Sequence, residues 1–96
     1  MKVLRLPNER ERKRIIKNLE ALNFQCRFNQ FLQILEARRN FKGKSVHVEI
    51  KRRKIGGYDL TLHIDKVLTN LPPFQHRRIR DEGEEEEWIR KIIENP

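Results

Sequence analysis

A small α+β domain, about α-β-β-β-α in order with a three-stranded antiparallel sheet, is the fold this sequence predicts, and three observations carry it. Residues 45 to 65, SVHVEIKRRKIGGYDLTLHID, alternate apolar and polar side chains on either side of a glycine pair, the period-two pattern of two half-buried strands. Residues 7 to 24, PNERERKRIIKNLEALNF, and residues 84 to 95, EEEEWIRKIIEN, repeat apolar residues at i, i+4 spacing, the mark of amphipathic helices. The length of 96 residues suits one domain over positions 1 to 96, with a small core and no room for a deep internal cavity.

In the first helix Asn8 is placed to cap, Glu11 stands three residues later in capping-box position, and Glu9 and Glu11 put negative charge at the positive end of the helix dipole. Ile15, Leu19 and Leu22 form its apolar stripe, widened by Ile16, while Arg10, Arg14 and Lys17 share another face. The next stretch, FQCRFNQFLQILEARRNFKGK, is ambiguous. Phe24, Cys26 and Phe28 alternate as in a strand, whereas QFLQILEARR is built from helix formers with Asn29 available as a cap. Strand is preferred, because a lone hairpin is a poor platform for two helices and three strands can bury an apolar face.

The hairpin follows from parity. Val46, Val48 and Ile50 share a face, as do Tyr58, Leu60, Leu62 and Ile64, so directly opposed residues must match and the loop must be odd. Ile55-Gly56-Gly57 supplies three residues with glycine at the left-handed bulge position, which places residue 54 opposite 58. That register sets Arg53 opposite Asp59, Lys51 opposite Thr61, Glu49 opposite His63 and His47 opposite Asp65, cross-strand pairs worth about 0.2–1 kcal/mol each. After Lys66, Pro72-Pro73 forbids ladder bonding and predicts an extended loop ending in the basic cluster HRRIR. The last helix, about 81 to 95, is acidic, with Glu86 and Arg90, and Glu87 and Lys91, at ion-pair spacing and Trp88, Ile89, Ile92 and Ile93 facing a core.

Apolar residues make up 36% and charged residues 38%, with a net charge of +8, so the core is small and the surface densely ionic. This charge content suits a thermophile's cytoplasmic protein. Residues 1 to 80 hold 20 Lys/Arg against 7 Asp/Glu, while residues 81 to 96 hold 2 against 7. A basic body with an acidic tail attracts polyanions through the body. The single Cys26 excludes a disulfide framework and a cysteine-based zinc site. No run approaches the length of a membrane helix, and MKVLRLPNERER has too short an apolar core for a secretory signal, so the expected location is the cytoplasm.

Three constellations bear on function. His47, Glu49, His63 and Asp65 would share a sheet face, but side chains projecting in parallel from a flat hairpin are expected to pair across strands instead of converging on a metal. A second constellation, Glu49-Ile50-Lys51 preceded by Glu36 and Glu11, resembles the acid, acid-x-lysine arrangement of the PD-(D/E)xK nucleases, and the order helix, strands, ExK is similar to archaeal Holliday-junction resolvases over roughly residues 9 to 51. The resemblance implies Glu36 and Glu49 holding Mg²⁺, Lys51 orienting the attacking water and Glu11 in an outer shell. This chain has Glu36 where those nucleases carry aspartate, and a hairpin follows Lys51 where they commonly place a helix. A four-residue loop from Phe41 to Lys44 would set Glu36 directly opposite Glu49, two like charges that need a cation or a basic group between them. The helix, three strands, helix order also resembles the double-stranded RNA-binding domain, although the second helix, which in that family opens with lysines, opens here with DEGEEEE.

The third constellation is the basic surface itself. Arg38, Arg39, Lys42 and Lys44 precede the hairpin, Lys51, Arg52, Arg53 and Lys54 lie at its tip, and Arg77, Arg78 and Arg80 follow it. Lys and Arg supply salt-dependent attraction to phosphates, Phe41 or Tyr58 could stack on an unpaired base, and no base-reading motif appears. The expectation is a non-catalytic nucleic-acid-binding protein with no resident cofactor. The alternatives are a small or degenerate Mg²⁺ nuclease using Glu36, Glu49 and Lys51, and a protein-interaction subunit or homodimer acting through the acidic helix or a free strand edge.

Overall fold

The computed structural model describes residues 2–66 and 82–95. In chain order they form β1 (Lys2–Leu6), α1 (Glu9–Ala21), β2 (Gln25–Asn29), β3 (Ile34–Phe41), β4 (Lys44–Arg52), β5 (Tyr58–Lys66) and α2 (Glu82–Glu94). The strands make one antiparallel sheet in the order β1-β5-β4-β3-β2, so α1 carries the chain from one sheet edge to the other. The α+β class and both helices agree with expectation. The three-stranded sheet does not, because the described residues form five strands.

A turn at Asn29 and a long-range pairing with β5 account for the extra strands. Residues 24 to 44 split into β2 and β3 because Asn29 turns the chain: its Oδ1 accepts from the backbone N–H groups of Phe31 at 3.1 Å and Leu32 at 3.2 Å. This is the local side-chain bonding that competes with helix, and Gln33 closes the turn at φ 54°. The other extra strand, β1, is only five residues long and pairs with β5. Its Leu4 and Leu6 face inward while Val3 is exposed.

The β4–β5 hairpin keeps the expected faces but not the expected register. Arg52 opposes Tyr58, Lys51 opposes Asp59, Glu49 opposes Thr61, His47 opposes His63 and Ser45 opposes Asp65. Arg53 N–H donates to Gly57 O at 3.0 Å and Gly56 N–H to Arg53 O at 3.2 Å, so the three-residue loop is Lys54-Ile55-Gly56. An even shift leaves every side chain on its own face. Gly57 is held back in the strand end because a Cβ there would lie 2.7 Å from the Leu6 carbonyl oxygen, and its φ is +73°. The β3–β4 connection is a two-residue turn with positive φ at Lys42 (49°) and Gly43 (74°), the primed geometry that suits strand twist. It sets Glu36 opposite Glu49, as expected.

Both helices pack on one face. Ile15 and Leu19 of α1 and Trp88 and Ile92 of α2 join Val46, Val48, Ile50, Leu60 and Leu62 in the core. Asn8 caps α1 by accepting from Glu11 N–H at 3.0 Å. Trp88 meets the rings of Phe24 and Phe41 edge-on, each at 5.7 Å. Buried Asn18 donates to Ile92 O at 2.7 Å and Arg14 to Ile93 O at 2.8 Å, so α1 satisfies carbonyls in the last turn of α2 that have no partner within their own helix. Glu86 binds Lys2 at 2.9 Å, and Lys91 lies 4.8 Å from the Trp88 ring centroid. Lys2 is thus the main partner of Glu86, with Arg90, at the expected i, i+4 spacing, adding a weaker attraction.

Candidate functional site

With helices on one face, the other face of the sheet is open, and strand alternation fills it with polar groups. Successive rungs across β2, β3, β4 and β5 read Gln25-Arg38-His47-His63 and Arg27-Glu36-Glu49-Thr61. Next comes a rung in which Lys51 opposes Asp59. Glu36 and Glu49 therefore stand side by side with Arg27 across from Glu36 and with Arg38 and Lys51 on neighbouring rungs. The centre of the face is a lattice of alternating charge, not a one-sign strip. Basic residues therefore flank two like charges that are unfavourable at opposed positions.

One rung on, His47 and His63 stack with ring centroids 4.8 Å apart and planes 4° from parallel. His47 Nε2 lies 3.3 Å from Asp65 Oδ2, His63 Nε2 lies 3.7 Å from the same oxygen, and Ser45 Oγ sits 2.9 Å from His47 Nε2. Burial, then His63 and Arg38, hold the His47 pKa below the usual imidazole value against the pull of Asp65 and Glu49. These side chains converge, contrary to the parallel projection expected of the hairpin. The expected fourth member, Glu49, faces Thr61 instead.

The basic residues singled out in the sequence fall in different places. Arg38 and Lys51 are exposed on the open face. Arg39 turns inward, where it donates to Leu22 O at 2.8 Å and its guanidinium lies over the rings of Phe41 (5.1 Å) and Trp88 (5.4 Å). Lys42 covers Phe41 from the β3–β4 turn. Lys44 pairs with Glu84 at 2.6 Å, so the acidic start of α2 binds the chain's own sheet through Lys44 and Lys2. Arg77, Arg78 and Arg80, with the loop expected after Lys66, lie outside the described residues. Lys42 and Lys44 stand one strand length, roughly 26 Å at ~3.3 Å per residue, from the hairpin tip.

At that tip Arg52 and Lys54 are exposed, and Arg53 Nε lies 3.6 Å from Asp59. The tip is joined to the start of α1. Tyr58 OH donates to the Glu9 carboxylate, the Arg12 guanidinium lies 5.2 Å from the Tyr58 ring centroid, and Gly57 packs under the Leu6 and Pro7 carbonyls. Arg12 and Lys13 thus reach the same end as Arg52, Arg53 and Lys54, with Arg5 on the adjoining edge strand opposite Asp59. The β2–β3 turn is there too, two strand spacings or roughly 10 Å across the sheet, with Phe31 99% exposed, and Ile55 at the hairpin tip is 84% exposed. Sequence reading missed Arg12, Lys13 and Phe31 as members of a site. The available signal was Phe31 inside the turn-prone run NQFLQ, an aromatic with nowhere to pack.

Tyr58 begins the inward strand face at its solvent end, and Phe41 packs on Trp88, so neither is presented as an open stacking platform. Cys26 is half-buried, and burial followed by Glu20 pushes its thiol pKa up. It packs against the core, and a raised pKa lowers the share of reactive thiolate. No helix among the described residues is long and apolar enough to cross a membrane. No protein-family model, curated protein or solved structure matches this chain.

Proposed function

We propose that this protein binds nucleic acid without chemistry, holding the phosphate backbone at the basic end made by Lys51, Arg52, Arg53 and Lys54 of the hairpin with Arg12 and Lys13 of α1. One observation carries the reading: the Tyr58–Glu9–Arg12 joint brings two basic segments, about forty residues apart in the chain, to one end of the domain. Exposed Phe31 beside them supplies an aromatic face on which an unpaired base can stack. Arg38 and Lys42 lie along the sheet, Arg39 and Lys44 are held by internal partners and Arg12 is paired with Glu9 at 2.7 Å, so Lys13, Lys51, Arg52 and Lys54 are the exposed cations of the basic end. Contacts of this kind read charge and shape and carry little base information.

The test is retention of labelled single-stranded, duplex and branched DNA and RNA across a salt series. With three to four phosphates neutralised on a duplex, log affinity should fall against log salt with a slope of roughly −3 to −4. The triple variant Arg52→Ala, Arg53→Ala, Lys54→Ala should weaken binding by roughly tenfold or more and flatten that slope by about 2 to 3. No retention at low salt, or a triple variant that binds like the parent, overturns the proposal.

The register that sets Glu36 opposite Glu49 favours a second reading, Mg²⁺-dependent cleavage with Lys51 orienting water. Under it, branched or duplex substrate is cut only with Mg²⁺ or Mn²⁺, and Glu49→Gln abolishes the cut. Intact substrate after prolonged incubation with either metal removes this reading. Arg27, Arg38 and Lys51, set on the same and neighbouring rungs, offer the two carboxylates counter-charge without a metal, which places this reading second.

A further inference from the structure

The cluster on the open face stands beside Arg38, the Cα partner of His47, and apart from the hairpin tip: His47 lies four residues from Lys51 and six from Arg53 along β4, or roughly 13 and 20 Å. Its geometry is set by backbone. His47 and His63 are Cα partners across β4 and β5, and Asp65 follows His63 at the next position on the same face, opposite Ser45. The ligand atoms of His47, His63 and Asp65 all lie within 4.8 Å of one another, and both imidazole nitrogens are already near a single carboxylate oxygen, at 3.3 and 3.7 Å. Ligands held tetrahedrally at about 2.0–2.2 Å stand roughly 3.3–3.6 Å apart, so the two histidine–aspartate separations need little change.

We infer that His47, His63 and Asp65 form a surface site for a divalent transition metal, zinc foremost, with the remaining position open to water or to the Ser45 hydroxyl. Two imidazoles and one carboxylate match zinc, cobalt or nickel and are a poor set for Mg²⁺ or Ca²⁺, which take all-oxygen ligands. The parallel rings must rotate about χ2 for their Nε2 atoms to meet on one ion. Side-chain exposures of 21% for His47 and 32% for His63 leave room for that movement at the surface. Neighbouring strands of a five-stranded sheet hold the three Cα positions, so only side-chain torsions are ordered on binding.

Untagged protein titrated with Zn²⁺ by calorimetry should take up one ion per chain, and Co²⁺ should give visible ligand-field bands that Zn²⁺ displaces. His47→Ala, His63→Ala and Asp65→Asn should each weaken zinc binding by roughly tenfold or more. Zinc should raise the Tm of the parent protein, and that rise should be absent in His63→Ala. Far-UV circular dichroism and the metal-free Tm of each variant establish that it is folded before binding is compared. Absence of stoichiometric binding, or a folded His63→Ala that binds zinc like the parent, overturns the inference. The Arg52, Arg53, Lys54 triple alanine variant should bind zinc normally, so failure of the metal site and failure of the nucleic-acid reading are distinguishable.

Discussion

Individual side chains join segments distant in sequence. The Tyr58 hydroxyl donates to Glu9, which lowers the Glu9 pKa and raises that of Tyr58. The lowered carboxylate contributes stability above its unfolded pKa that is lost as pH falls through its folded value. The raised phenol contributes stability below its unfolded pKa that is lost as pH rises through its folded value. Tyr58→Phe should therefore lose about 0.5–1 kcal/mol at neutral pH, a modest figure because Glu9 is solvent-screened. The difference from the parent should shrink in acid below the ordinary carboxylate range and in alkali beyond the ordinary phenol range, as read by urea unfolding at several pH values. Buried Asn18 is the internal counterpart. Asn18→Ala should cost about 1–3 kcal/mol by leaving the Ile92 carbonyl without its donor. The Asn8 cap was legible because its donor lies three residues away, whereas the Asn18 bond spans 74 positions and no local pattern announces it.

At the scale of elements, turn chemistry explains both what was read correctly and what was not. Lys42-Gly43 forms the turn that sets β3 against β4; it is two residues long where a four-residue loop was considered, but both are centred on the same position and so oppose Glu36 and Glu49. The β4–β5 loop has two glycines, and sequence could not choose between Gly56 and Gly57 as the bulge residue. The choice rests with β1, whose Leu6 carbonyl passes over Gly57. Gly57→Ala should destabilise by more than about 1 kcal/mol through positive φ together with backbone overlap. Gly43→Asn, with open space around Cβ and a residue type that tolerates left-handed backbone, should change stability by under about 1 kcal/mol. Parallel denaturant titrations of the two variants decide the contrast; equal losses would mean that the approach of β1 does not set the register. Asn29 shows the opposite limit: its side chain suits a helix cap or a turn equally well, and the partner strands decided for the turn.

For the molecule as a whole, α2 covers the sheet, and its charge distribution follows from where it lands. Trp88 is seated between Phe24 and Phe41 under the Arg39 guanidinium. Trp88→Ala should cost about 3–5 kcal/mol, measurable by thermal or denaturant unfolding. The acidic start of α2, suited by its charge to a basic partner or to the chain's own basic surface, engages Lys2 and Lys44 of the same chain. Basic groups that looked contiguous along the sequence are divided between a mixed-charge sheet face and one basic end, because strands carry residues about 3.3 Å per position away from their sequence neighbours.

The sequence by itself determined the class, both helices with their buried stripes, the two strand faces of the hairpin and the excess of positive charge, since each is a local periodicity or a composition. Tertiary structure alone decided the number of strands, the hairpin register, the union of Arg12 with Arg52 to Lys54 and the meeting of His47, His63 and Asp65. Those depend on which backbone hydrogen-bonding edges pair and which loops pass over one another, and such long-range choices leave no trace in the spacing of neighbouring residues.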